Sequence, residues 1–137
     1  MRKITKPLVA ILLIAILSMA NVTAFATNEI ISPRLSHTED GGFSFAIIDN
    51  VGCLDATYYG YDSFVRADLN VNVQKRFLLV FWKDYYEWNA SCTELIGDFY
   101  HEFAVEDSGK YRANFTLTVT GNDGTTDVIT STIEDTN

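Results

Sequence analysis

The stretch Phe64–Gln74, FVRADLNVNVQ, decides the fold of this chain. Apolar residues occupy every second position from Val65 to Val73, and charged or amide side chains occupy the positions between them. This period of two places one row of side chains in a core and the other in water, as in a strand of a sheet with one solvated face. The sequence therefore predicts β-structure here, and no stretch beyond residue 26 shows a 3.6-residue pattern long enough for a helix.

The same alternation continues on both sides of this strand and is interrupted by turn signals. Asp49-Asn50 separates two runs, and Gly121–Gly124 (GNDG) predicts a hairpin turn because its residues tolerate positive φ. About seven strands in about 100 residues favour an all-β fold, an immunoglobulin-like antiparallel β-sandwich, with a small closed barrel as the alternative. The predicted strands cover residues 43–47, 51–59, 64–74, 77–88, 98–105, 111–120 and 125–133.

The first 26 residues have the layout of a secretory signal peptide. Basic residues precede an unbroken apolar run, Leu8–Leu17, and Ala24–Ala26 (AFA) is an A-x-A cleavage signal. The apolar run is shorter than the ~20 residues that span a bilayer, so we expect cleavage after Ala26 and secretion, with a transmembrane anchor as the alternative. The predicted organisation is a signal peptide at 1–26, a loose polar N-terminal arm at 27–42 and a β-sandwich domain at 43–137.

The composition limits the classes of partner. The chain of 137 residues carries 10 Lys+Arg against 18 Asp+Glu, and positions 27–137 keep all 18 acids but only 7 bases, a net charge of −11. Such acidity argues against a nucleic-acid partner, which needs a basic patch, and it repels anionic membranes. Two His and two Cys are too few for a zinc cluster, and no cofactor is expected. After cleavage of the leader, no segment is apolar enough for a stable membrane span.

Cys53 and Cys92 both lie in the part predicted to be exported. An oxidising compartment favours a single disulfide between them, and the loop that it would close contributes roughly 4 kcal/mol in the chain-entropy model. Two inert buried thiols are the alternative. A catalytic thiol is disfavoured because neither histidine is near a cysteine in sequence.

A short motif in the last third of the chain resembles a known fold family. Asp107–Ala113, DSGKYRA, is similar to the D-x-G-x-Y-x-C segment of immunoglobulin-type domains, in which the tyrosine forms a corner at the start of the sixth strand. The resemblance implies that Tyr111 is a structural corner residue whose hydroxyl bonds back to nearby backbone. Ala113 stands at the family's cysteine position and the family's tryptophan is missing, so the family's buried disulfide is not implied.

Nearly the whole chain after the leader resembles small secreted proteins of unknown function from Gram-positive anaerobes. The resemblance implies export and the sandwich fold, and it implies no activity. It rests on features in a fixed order: Ile31–Arg34 (ISPR), Gly60-Tyr61, Val73–Lys75 (VQK), Trp82 and Trp88, Gly109–Arg112 (GKYR), and a closing strand near Asp127–Ile129.

The aromatic run at residues 77–88 is the most unusual feature of the sequence. In a regular strand, Trp82, Tyr86 and Trp88 share the less charged face and are expected to be buried, which leaves Phe81 and Tyr85 outside. Exposed rings on a sheet hold sugars or partner proteins in many sandwiches. The alternative is a second packing layer against a loop or the N-terminal arm.

These rings define the predicted binding site and the predicted function. Tyrosines beside Gly60 extend the surface, so the candidate binding residues are Phe81, Tyr85, Tyr59 and Tyr61. The prediction is a secreted, non-enzymatic module whose partner is an extracellular protein or a surface glycan. The alternatives are a small carboxylate-dependent hydrolase and a toxin-like or signalling extracellular effector.

Catalysis has weaker support in the sequence. Asp98 and Glu102 share a strand face, but a glycosidase needs two carboxyls about 5–9.5 Å apart across a cleft, and any exposed strand carries solubilising acids. His101 shares a face with apolar residues and is expected to be partly buried, while His37 falls in the polar arm. No catalytic residue is therefore predicted.

Calcium is a further alternative that the sequence does not favour. Asn122, Asp123 and Asp127 offer oxygen atoms near one turn, and Glu39 and Asp40 offer them near another. Calcium takes 6–8 oxygen ligands and the EF-hand spacing is absent, so ordinary acidic turns are expected and no metal site is predicted.

Overall fold

The computed structural model describes residues 34–39 and 41–137. The predicted signal peptide, its cleavage site at Ala26 and most of the N-terminal arm lie outside the described residues. No helix in the described part is long and apolar enough to cross a bilayer. The strands are β1 (Gly42–Ile48), β2 (Val51–Tyr59), β3 (Phe64–Phe77), β4 (Phe81–Cys92), β5 (Ile96–Ala104), β6 (Lys110–Gly121) and β7 (Thr126–Thr136).

The seven strands form two antiparallel sheets. One sheet has the order β1-β2-β5 and the other the order β4-β3-β6-β7. Two separate sheets with a core between them make an all-β sandwich, which confirms the predicted fold class over the closed barrel. In the seven-stranded immunoglobulin arrangement the fourth strand pairs with the fifth. Here β4 pairs with β3 instead, so β3 and β4 form a long hairpin.

The core lies between the two sheets and follows the alternation of the sequence. Ala67, Leu69, Val71 and Val73 of β3 are buried, as predicted, and the polar residues between them are partly exposed. β6 alternates in the same way along its whole length. The other buried apolar residues are Phe45, Leu54, Ala56, Tyr58, Phe99, Phe103, Val105, Tyr111, Ala113, Phe115, Leu117 and Val119.

A β-bulge at the start of β3 turns one residue that was expected in the core toward the solvent. Phe64 pairs with Gly121 and Arg66 pairs with Thr120, so Val65 is an extra residue on this strand. A bulge leaves the extra residue unpaired and changes which side chains face the core. Val65 is exposed, although the alternation placed it in the core, and Phe64 packs against the core instead.

The aromatic run at residues 77–88 is two strands and a turn, where the sequence predicted one strand. β3 ends at Phe77, a turn occupies residues 78–80, and β4 begins at Phe81. β4 then continues through residues 89–91, beyond the predicted end of the strand at residue 88. Those residues lie on an edge strand, where polar side chains pair across the sheet: Asn70 Nδ2 donates to Asn89 Oδ1 at 2.6 Å.

Residues 36–39 pack onto the domain, in contrast to the loose arm that was expected. Thr38 forms an isolated bridge with Gly60, and its side chain is fully buried. One carboxylate oxygen of Asp127 accepts hydrogen bonds from the backbone N–H groups of Ser36 (2.9 Å) and His37 (2.6 Å). Polarity therefore did not indicate exposure here, because these polar groups have partners within the fold.

The predicted disulfide does not form: both cysteines are free thiols. Cys53 alternates with buried Leu54 along β2, so it faces away from the core. Cys92 lies at the end of β4 and packs against the core from the inside, beside Tyr58. The three-stranded sheet thus separates the two sulfur atoms, and a bond between them would require the backbone to move.

Candidate functional site

The most exposed apolar segment of the described chain is the turn between β3 and β4. We call its five residues, Phe77–Phe81 (FLLVF), the apolar tip. Their side chains are between 56% and 79% exposed. Contiguous exposed apolar residues mark interaction sites more often than isolated ones do. No polar residue interrupts these five positions, and Phe77 pairs with Phe81 across the hairpin, so the exposed apolar residues lie together at one turn.

The backbone of the apolar tip is strained. Leu78 and Leu79 have φ angles of 47° and 66°, in the left-handed region that bulky residues seldom occupy. Val80 N donates to Leu78 O at 2.8 Å, which closes a three-residue turn with Leu79 at its centre. A γ-turn with positive φ is the rarer and more strained form. Asn or Gly would adopt these angles at lower cost, so the two leucines make this turn less stable than it could be.

Basic residues surround the base of the apolar tip. A pocket of about 280 Å³ opens there and is lined by three basic side chains, Lys75, Arg76 and Lys83. Lys75 Nζ lies 3.0 Å from an oxygen of Asp107, and this hydrogen bond raises the pKa of the lysine. Asp84, also in the lining, accepts a hydrogen bond from a glutamine, which lowers the pKa of its carboxyl. Both shifts favour the charged forms of Lys75 and Asp84.

Trp82 follows the apolar tip directly and faces the outside of the four-stranded sheet. A bulge in β4 explains this orientation: Val73 pairs with Tyr86 but Gln74 pairs with Asp84, so Tyr85 is an extra residue. The bulge places Trp82 on the opposite face from Trp88, although regular alternation put the two on one face.

The exposed face of Trp82 carries a cation. The Arg112 guanidinium carbon lies 4.4 Å from the centre of the Trp82 ring, which is a cation–π contact. Arg112 Nε also donates to Gln74 Oε1 at 2.8 Å, and this bond fixes the guanidinium over the ring. Trp82 and Arg112 thus extend the positively charged surface at the base of the tip along the outer face of the four-stranded sheet.

The same bulge separates the two rings of the predicted site. Phe81 is exposed and belongs to the apolar tip. Tyr85 was expected to be exposed as well, and this is wrong: it packs against the core, with its ring 5.1 Å from that of Tyr111 in an edge-on arrangement. Its hydroxyl accepts a hydrogen bond from Glu106 N at 3.2 Å. Tyr85 therefore packs beneath the tip, where it also lines the pocket, and its role in binding stays a prediction.

Tyr111 occupies the corner position that the immunoglobulin-type motif implies. Its ring is fully buried, and its hydroxyl donates to the carbonyl oxygen of Asp107 at 2.7 Å, four residues upstream. Burial is the main cause of the raised pKa of this phenol. The corner lies directly below the pocket, because Lys75 Nζ, which lines the pocket, is also 5.8 Å from the centre of the Tyr111 ring.

Tyr59 and Tyr61 lie away from the apolar tip. The register pairs Tyr59 with Ile96, beyond the far end of β4, so these tyrosines are at the opposite end of the sandwich. Tyr59 is 49% exposed and Tyr61 is 41% exposed. A shallow pocket of about 350 Å³ beside Tyr59 also includes Ile96 and Asp98 in its lining. The four predicted binding residues thus do not form one surface.

The sequence pattern missed most of the apolar tip. Leu78, Leu79 and Val80 were absorbed into a predicted strand, because apolar residues favour strand over turn. One signal was available: residues 75–83 read KRFLLVFWK, an apolar group enclosed by basic residues in an otherwise acidic chain.

The acids considered for catalysis lie on an open sheet face. Asp98 and Glu102 point outward from β5, on the same face as Asp55 of the adjacent strand. Burial, with a smaller contribution from Asp98, raises the pKa of Asp55. The pocket at this end is lined by a single carboxylate, Asp98, and so lacks the acid pair that glycoside hydrolysis requires.

A hydroxyl–imidazole–carboxylate arrangement occurs at the same end of the molecule. His37 is 3% exposed; its Nδ1 lies 2.8 Å from Ser63 Oγ and its Nε2 lies 2.7 Å from Thr125 Oγ1. Ser63 Oγ donates to a backbone carbonyl at 3.2 Å and Thr125 Oγ1 donates to Asp123 at 2.8 Å. Both hydroxyl protons therefore have acceptors other than the imidazole. A Cβ at Gly121 would lie 2.2 Å from the ring, so the imidazole fills space that only glycine leaves open.

His101 is partly buried, as expected, and contacts aromatic residues. Its ring stacks on Trp88 with 4.7 Å between centres, and its Nε2 lies 2.6 Å from the Tyr86 hydroxyl. The ring thus fills the opening between the edge strands β4 and β5, which belong to different sheets.

The carboxylates considered for calcium have protein partners. Asp127 accepts the two backbone N–H groups described above, and Asp123 accepts both the backbone N–H and the hydroxyl of Thr125. These Thr125 hydrogen bonds, the backbone one first, lower the pKa of Asp123. Among the described residues, no group of three or more His, Cys, Asp or Glu is placed to hold a metal ion.

The sequence matches no protein-family model and no curated protein. Three solved structures of OgpA from Akkermansia muciniphila are similar in part. Two are the wild-type protein, at 14% and 17% identity with TM-scores of 0.43 and 0.42; they cover 73% and 72% of this chain and 29% and 28% of OgpA. The third is catalytically inactive OgpA in complex with an O-glycopeptide substrate, at 14% identity with a TM-score of 0.44; it covers 78% of this chain and 34% of OgpA. This chain thus spans about a third of the length of OgpA or less.

Proposed function

We propose that this chain is an exported, non-enzymatic binding module whose contact surface is the apolar tip, Phe77–Phe81. One observation carries the proposal: five consecutive apolar side chains are exposed at one turn of a domain whose other apolar residues mostly build a core. Removing such side chains from water is favourable, and only a partner can do so once the domain has folded.

The strain in the tip supports the same function. A turn selected for stability alone would place Asn or Gly where Leu78 and Leu79 have positive φ. Strain that the rest of the fold overrides is typical of functional loops. The sandwich below the tip is well suited to hold it, because the bulged Tyr85 and the corner Tyr111 pack against each other beneath it.

The test compares two pairs of substitutions at opposite ends of the domain. Leu78→Asn/Leu79→Gly removes two apolar side chains from the tip and relieves the strain in its backbone. Leu95→Asn/Ile96→Ser removes two exposed apolar side chains near Tyr59 and serves as the matched control. Fluorescently labelled protein, residues 27–137, is mixed with bacterial envelope fractions and with host-cell extracts, and the retained fraction is measured.

We expect retention to fall at least fivefold for the tip variant and to stay at the wild-type level for the control. Equal retention of the wild type and the tip variant would refute the proposed contact surface. A loss in the control variant alone would move the contact surface to the end that carries Tyr59 and Tyr61.

A further inference from the structure

The geometry points to an anionic lipid bilayer as the partner of the apolar tip. In this arrangement, Phe77–Phe81 enter the interfacial region, and the basic residues at the base of the tip contact phosphate headgroups. The inference rests on the proposed function, since it takes the tip as the contact surface and adds the chemical class of the partner.

The size of the tip favours a bilayer over a protein. A standard protein–protein interface uses about 20–30 residues on each side. The apolar tip has five residues, and the sheet faces beside it are polar. Insertion into a bilayer has no such lower limit, because each apolar side chain that enters the interface contributes separately.

The charges at the base of the tip favour anionic headgroups. Lys75 and Lys83 lie directly opposite each other in the β3–β4 register, an arrangement in which like charges repel. Asp107 compensates Lys75, and Glu134 lies opposite Arg112 and interacts with Arg76 as well, whereas Lys83 belongs to none of the four ion pairs among the described residues. An anionic phosphate beside Lys83 would remove the repulsion that the fold leaves in place.

Trp82 has the position that a membrane interface requires. Tryptophan concentrates at the level of the headgroups, where its ring is partly apolar and its N–H is solvated. Trp82 follows Phe81 directly, outside the core, and carries Arg112 over its ring. The order along β4 is therefore apolar tip, aromatic residue and basic residue, which matches the change from acyl chains to headgroups.

The backbone of the tip tolerates shallow insertion. Unpaired N–H and C=O groups are costly in hydrocarbon. Val80 N is bonded to Leu78 O, Leu79 O accepts from the Arg76 side chain, and Phe77 pairs with Phe81. An interfacial element enters only about 5–10 Å, which is enough to cover a turn of this size while the sheets stay in water.

Most of the basic residues lie at the end of the molecule that carries the tip. Of the seven basic residues at positions 27–137, five gather at the end that carries the tip: Lys75, Arg76, Lys83, Lys110 and Arg112. Acidic residues lie at this end as well, among them Asp84, Asp107 and Glu134, so the attraction to phosphate comes from the basic residues that flank the tip directly, Arg76 and Lys83.

The test is cosedimentation of the protein with vesicles of phosphatidylcholine, with or without phosphatidylglycerol. We expect the wild type to bind the phosphatidylglycerol vesicles more strongly and to lose this difference as salt is raised. Leu78→Asn/Leu79→Gly should weaken binding at least tenfold and Lys83→Gln about fivefold, while Leu95→Asn/Ile96→Ser should have no effect. The tip variant should be more stable than the wild type, so its loss of binding would not reflect unfolding.

Three results would overturn the inference. The first is absence of vesicle binding while retention on envelope fractions stays dependent on the tip, which would leave the proposed function standing with another partner. The second is equal binding to both kinds of vesicle. The third is a tip-dependent dimer in sedimentation velocity without vesicles, which would make a second copy the occupant. If the tip variant matches the wild type in every assay, the proposed function itself fails.

Discussion

Tyr111 anchors the connection between β5 and β6 through one hydrogen bond. Its hydroxyl donates to Asp107 O, and Asp107 in turn holds Lys75 at the base of the apolar tip. The ring is fully buried and meets Tyr85 edge-on. The corner therefore fixes the path of the chain beside the pocket as well as the start of β6.

Removing this hydroxyl tests how much the corner stabilises the domain. Tyr111→Phe keeps the ring and deletes the bond to Asp107 O, and the expected loss is about 1 kcal/mol in the free energy of unfolding. Tyr59→Phe is the control, since that ring is about half exposed. Urea denaturation followed by tryptophan fluorescence measures both variants. If they lose the same stability, the corner bond contributes nothing beyond an ordinary surface hydroxyl.

The positions of the strands were largely predictable from the sequence. The face of the sheet on which each side chain lies was less predictable. Alternation located β2, β3 and β6 because each buries one face, and burial imposes a period of two. The predicted faces failed at Val65 and Tyr85, where each strand gains an extra residue. A bulge leaves no composition signal in one sequence, so the side chains beyond it were assigned to the wrong face.

The hairpin of β3 and β4 should become more stable when its tip is made polar. Leu78→Asn/Leu79→Gly replaces two residues at positive φ by residues that tolerate it, while glycine adds some chain entropy to the unfolded state. The expected net gain is about 1 kcal/mol in the free energy of unfolding.

Urea denaturation of the tip variant measures this gain, and the exposed pair Leu95→Asn/Ile96→Ser provides the reference. A tip variant less stable than the wild type would show that the leucines contribute contacts to the fold. In that case the fold itself, and not binding, would account for the two leucines.

At the scale of the whole molecule, the candidate site depends on how the strands pair and in which register. Arg112 is far from Lys75 and Lys83 in sequence, and the three meet because β3 pairs with both β4 and β6. Net charge predicted an acidic surface and could not show that the basic residues gather at one end. Phe81 was identified from the sequence because it is aromatic, whereas its neighbours in the tip became recognisable only once the turn was located.

The absence of a covalent link between the described parts of the two sheets gives a last prediction for the molecule as a whole. Cys53 faces outward from β2 and Cys92 faces the core from β4, so the three-stranded sheet lies between them. Protein purified without reductant, unfolded and treated with iodoacetamide should gain two adducts, and its urea midpoint should not change with dithiothreitol. A disulfide would instead give no adducts, and its reduction would cost about 4 kcal/mol of stability. That outcome would require β2 and β4 to pack differently and would also displace Tyr58, which contacts Cys92.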